Sequence, residues 1–74
     1  MRSDGELAAA VRDAADAIIE GTGASAWRHF EDGHFEGAEC LAEVHRAIGL
    51  IEGAAVALGM TPLELLDDLG ITDA

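Results

Sequence analysis

Residues 36–58, EGAECLAEVHRAIGLIEGAAVAL, decide the fold. Leu41, Val44, Ile48, Ile51, Ala55 and Leu58 follow one another at steps of three, four, three, four and three. Those steps put all six on one face of an α-helix, as a heptad-like seam. A helix from about Glu36 to Leu58 is therefore expected, with Gly59 as its stop. Gly49 and Gly53 lie one turn apart inside it, and each weakens an isolated helix by about 1 kcal/mol relative to alanine. Their presence predicts a groove where another backbone comes close.

Downstream, Thr61-Pro62-Leu63-Glu64 combines a capping box with proline at the first helical position, a strong start signal. Leu63, Leu65, Leu66 and Leu69 supply the apolar contacts of a short last helix that Gly70 closes. Residues 71–74 are expected to fray, with Ile71 able to tuck back. Upstream, Ser3 and Glu6 have capping-box spacing, and Leu7, Val11, Ala14 and Ile18 form one apolar stripe. A first helix follows, with Gly21 as its expected stop. Two readings compete for residues 24–35. Ser25 can cap a short helix through Ala26, Trp27, Arg28 and Phe30. Asp32-Gly33 between two short aromatic segments is instead a hairpin signal. The helix and turn are favoured, because a two-stranded ribbon is marginal alone.

The expected fold is thus all-α: one acidic domain over residues 1–74, a small bundle of three to four helices, with a hairpin near residues 27–36 as the competing local form. At 74 residues the chain is near the lower size limit for folding without staples. Half of it is hydrophobic, too much for charge-driven disorder. Trp27, Phe30 and Phe35 are its only aromatics, so Ala, Leu, Ile and Val must build the core. Lone Cys40 excludes an intramolecular disulfide. The N-terminus does not read as a signal peptide, and the longest apolar stretch, Ala47–Met60, is too short and too interrupted to span a bilayer. A cytoplasmic location follows as the default, that of the bacterial host cell if the chain is phage-derived.

Several chemistries can be weighed from residue spacing. His29, Glu31, Asp32, His34, Glu36, Cys40 and His45 crowd one stretch, and Glu31-x-x-His34 matches half of a carboxylate-bridged di-iron motif. The second half is missing, and one cysteine does not make a zinc site. Histidines at the surface beside carboxylates are the plainer reading, and no metal or cofactor is expected. Cys40 and His45, five apart, are poorly placed as nucleophile and base, and a buried cysteine is the simpler account. Ser25 has no activating partner nearby in sequence. A chain this short rarely shapes a water-excluding pocket, so catalysis is not expected. Acyl carrier proteins are also small, acidic and four-helical. Their serine sits in an Asp-Ser-Leu motif, whereas Ala24-Ser25-Ala26 departs at both flanks, and a capping role explains Ser25.

Charge is what remains. Fifteen Asp and Glu oppose four Arg, lysine is absent, and the net charge is −11. Such a chain repels nucleic acid and anionic membrane and attracts basic surfaces. Asp13, Asp16 and Glu20 recur on the first helix and Glu36, Glu39 and Glu43 on the next long one, with Asp67 and Asp68 extending the set. Carboxylates three or four residues apart on a helix lie about 5–6 Å apart along its axis. That is comparable with the roughly 3.4 Å axial charge spacing of one nucleic-acid strand. The plain alternative is a solvated face, partly neutralised by Arg12 with Asp16 and Arg46 with Glu43. With four arginines in all, most acids stay unpaired.

In size, charge and lack of lysine the whole chain resembles the small phage anti-CRISPR proteins directed at type I systems. The resemblance implies an inhibitor that mimics DNA and occupies a basic nucleic-acid-binding surface, such as that of a Cascade-type CRISPR subunit. It carries over no residue by position. The site expected from the charge pattern is Asp13, Asp16, Glu20, Glu36, Glu39, Glu43, Asp67 and Asp68, binding a basic protein and neither nucleic acid nor membrane. Trp27 with Phe30 or Phe35 is a second candidate contact, although core packing is the favoured role for them. The competing function is a homodimeric structural or regulatory protein joined along the Leu41–Leu58 seam, and a further alternative is an acyl-carrier-like protein.

Overall fold

Four helices form among residues 3–32 and 41–71, the parts of the chain that the computed structural model describes. They are α1 (Ser3–Thr22), α2 (Ala26–Asp32), α3 (Ala42–Leu58) and α4 (Pro62–Asp68). There is no strand among the described residues, and the fold is all-α. Trp27–Glu31, the first arm of the alternative hairpin, is helical; its second arm lies outside the described residues.

Local chemistry explains most of the boundaries. α1 runs through Gly21 and stops only where Gly23 takes the left-handed conformation, φ 79°. The Thr22 hydroxyl donates to the Ile18 carbonyl at 2.7 Å and accepts from the Ala24 amide at 3.0 Å, closing the turn. Gly21, the stop expected from sequence, lies inside the helix because α3 needs it there. A Cβ on Gly21 would collide with the Val44 side chain. The tight contact at a glycine predicted for Gly49 and Gly53 is found instead at Gly21, where the Val44 side chain packs against the α1 backbone. Both α3 glycines face open space.

Ser25 caps α2, its Oγ accepting from the Arg28 amide at 3.2 Å. α3 begins later than periodicity suggests. Leu41 is its N-cap, with extended backbone at φ −74° and ψ 127°, so α3 starts at Ala42 and not at the expected Glu36. Gly59, at φ 71°, ends it as expected: its amide donates to the Val56 carbonyl at 3.1 Å and that of Met60 to Ala55 at 2.9 Å. The Thr61 capping box is complete. The Glu64 amide donates to Thr61 Oγ1 at 3.1 Å and the Thr61 amide to Glu64 Oε1 at 2.9 Å. These two devices turn the chain by 86° between α3 and α4. Gly70 closes α4 with φ 77°, and Ile71 packs back on the core, its amide donating to the Leu66 carbonyl at 2.8 Å.

α1 and α3 pack along each other and make the largest interface of the molecule. α2 touches α1 and α4, and α4 touches α3. Val11, Ile18, Val44, Ile51, Leu65 and Leu66 are the largest fully buried side chains and belong to a single cluster. Val44, Ile48, Ile51 and Ala55 of the seam are consumed inside this core, whereas Leu41 and Leu58 are half exposed. A homodimer along that seam would have to displace the chain's own helices. Arg12 ties the first helix to the last, donating from Nη2 to the Leu69 carbonyl at the end of α4 at 2.6 Å. A cation there also suits the negative end of the helix dipole. No single helix among the described residues is long and apolar enough to cross a membrane.

Candidate partner-binding surface

The spacing of acids along α1 sends them outward. Glu6, Asp13, Asp16 and Glu20 are all exposed, opposite the buried Val11, Ala14, Ala15 and Ile18. Glu6, Asp13 and Glu20 are seven residues apart, almost two full turns, so they form one line along the helix. Asp16 sits on the same outward half but off that line.

Beside the line runs an open groove of about 450 Å³, lined by α1 and α3 alone. Its floor is Ala10, Ala14, Ala17 and Ala47. Asp13 and Glu20 stand on the α1 rim, and Glu43, Arg46 and Leu50 on the α3 rim. Three of the acids expected to act together, Asp13, Glu20 and Glu43, thus meet across one groove. None of the six largest buried side chains lines it, and neither α2 nor α4 reaches it.

The anticipated neutralising pairs do not form. Among the described residues no ion pair joins Arg12 to Asp16 or Arg46 to Glu43. Arg12 is engaged with the Leu69 carbonyl instead. Among these residues Asp13, Asp16, Glu20 and Glu43 lie at the surface without an ion-pair partner.

The other expected members are more scattered. Glu36 and Glu39 lie outside the described residues. Asp67 and Asp68 are exposed on α4, and Asp68 borders a different, smaller hollow of about 320 Å³ with Leu7, Leu58, Met60 and Leu69. Of the eight expected residues, Asp13, Glu20 and Glu43 share the α1–α3 groove, and Asp16, Asp67 and Asp68 are exposed elsewhere. Ala10, Ala17, Arg46 and Leu50 belong to the groove without standing out in the charge pattern. The alternation of alanine and acid over Ala10–Glu20 is a usable sequence signal for two of them.

The stretch weighed for metals divides. His29, placed at the surface by the sequence reading, is buried, only 7% exposed. Its ring meets Phe30 edge-on, with centroids 5.0 Å apart at 85°. Glu31, Asp32 and His45 are exposed, and His34, Glu36 and Cys40 lie outside the described residues. Trp27 and Phe30 are partly buried against the core, which agrees with their packing role. The half-buried Ser25 opens the second helix, as an acyl-carrier serine would, but serves there as its cap. No protein-family model, curated protein or solved structure matches this chain.

Proposed function

We propose that the protein is an acidic binding protein that occupies a basic, nucleic-acid-binding surface on another protein and so excludes nucleic acid from it. The observation that carries this reading is the set of exposed, unneutralised carboxylates Asp13, Asp16, Glu20 and Glu43 on a packed helical scaffold. Holding like charges together on a folded surface opposes folding, and a cationic partner relieves the repulsion. A rigid helix spaces these groups before the partner arrives, so little ordering entropy is lost on binding. The protein acts by occupancy, with no bond made or broken. A Cascade-type CRISPR subunit is the partner suggested by the chain's likeness in size and charge to anti-CRISPR proteins, and that finer assignment rests on the likeness alone.

Displacement of duplex DNA from a purified type I surveillance complex, and from a panel of unrelated basic DNA-binding proteins, tests both levels. Inhibition should weaken steeply as salt rises from about 50 to 200 mM, as it does for contacts that replace phosphates. The variant Asp13→Lys with Glu20→Lys and Glu43→Lys should abolish it. All three positions are exposed, so the fold is expected to survive. Full inhibition by that variant would remove the acidic groove from the mechanism.

A further inference from the structure

We infer that the α1–α3 groove receives a basic amphipathic α-helix of the partner, laid along the alanine floor with cations facing Asp13 and Glu20. This deepens the reading above and rests on it for the partner's charge.

The floor excludes an extended segment. An incoming strand brings unpaired amides and carbonyls that need partners when buried. α1 and α3 offer no sheet edge to pair with, and the floor residues Ala10, Ala14, Ala17 and Ala47 carry no polar side-chain atom. A helix satisfies its own backbone. Alanine floors also permit approach at the short end of the 8–10 Å range of packed helices. From Ala10 to Glu20 the groove runs for about 15 Å, close to three helical turns.

Charge selects the sequence of that helix. Asp13 and Glu20 on one rim are separated by about 10.5 Å along α1. Lysine or arginine at positions i and i+7 of an aligned helix falls at the same interval. On the other rim Glu43 and Arg46 nearly balance, which suits a neutral or mixed flank. A second copy of this chain is disfavoured, because its long outward acid line would meet Asp13 and Glu20 like on like. A helix that binds DNA through its own cations has the required character, since recognition helices and basic regions lie along the phosphates of the major groove. Seated here, it would be withheld from them.

The test uses the full chain and two labelled synthetic peptides of about 15 residues, long enough for the groove. One places Ala and Leu on a single helical face with Lys at i and i+7 along its flank. The other has the same composition shuffled so that no apolar face exists. The amphipathic peptide should bind at least about tenfold more tightly by fluorescence anisotropy. It should gain helical circular dichroism as it binds, because helices this short are marginal when free. Ala10→Gln with Ala17→Gln fills the floor without adding charge and should abolish the preference. Asp13→Asn with Glu20→Gln, at exposed positions, should weaken binding even if the filled-floor variant folds poorly.

Equal affinity for the two peptides, or binding without a gain of helix, overturns the inference. Binding of neither peptide does the same. So does a dimer in sedimentation that the filled-floor variant converts to monomer, because the occupant would then be a second copy. The DNA displacement assay reports separately on the broader reading. Displacement with no peptide preference leaves that reading standing and the helix inference fallen. A peptide that seats as described, with no displacement, upholds the helix groove and removes the competition with nucleic acid.

Discussion

The two sides of the α1–α3 pair are built from different side chains. The interior cluster holds Val11, Ile18, Val44 and Ile51 from the pair together with Leu65 and Leu66 from α4, all fully buried. The side that α2 and α4 leave uncovered is floored by alanines and rimmed by charge. Burying a large aliphatic side chain stabilises by about 1.5–3 kcal/mol, and leaving one wet forfeits that amount. Alanine has little to lose. Among the described residues Leu50 is the one large aliphatic side chain lining that side, so the side is left open at small cost. The division is one of degree: Ala14 and Ala47 of the groove floor also belong to the buried core, and Leu50 on its rim is 39% exposed.

That contrast can be tested from its stronger side to its weaker one. Leu66→Ala removes a fully buried side chain and should cost about 2–5 kcal/mol in urea unfolding, enough to unfold much of a domain this small. Gly21→Ala adds a methyl group where α1 meets Val44 and should destabilise by about 1–3 kcal/mol despite alanine's better helix propensity. The same change at Gly49 or Gly53 points into open space and should stabilise by up to about 1 kcal/mol each. A loss at either position would show that α3's outer face is covered in solution. Leu50→Gln, at the groove rim, should alter stability by no more than about 0.5 kcal/mol. A larger loss would mean that the open side contributes to the free protein's core.

Much of the bundle is legible in the sequence, because its signals are local. The Thr61–Glu64 box, the Gly59 stop and the apolar stripe of α1 each depend on residues within a turn or two of one another. The departures have a common cause. Gly21 has the appearance of a stop, and only the packing of Val44, 23 positions away, explains why the helix continues through it. Leu41 keeps the heptad step while its backbone is extended, because periodicity records side-chain spacing and not dihedral angles. Arg12 and Asp16 have ion-pair spacing, yet the guanidinium reaches a carbonyl 57 positions away. The groove is only half visible. Which acids share a helix face follows from spacing, but that Asp13 and Glu20 face Glu43 depends on how two distant helices meet.

The corner between α3 and α4 has a dynamic consequence. The amides of Gly59 and Met60 donate to carbonyls of α3 and that of Thr61 to the Glu64 carboxylate of α4, so the donors of all three corner residues are engaged. Solvent hydrogen exchange at these surface positions should consequently be slow, tracking the unfolding of the neighbouring helices instead of loop fluctuation. Release of the corner therefore requires fraying of a helix end, because the Gly59 and Met60 amides are tied to the last turn of α3 and the Thr61 amide to the first turn of α4.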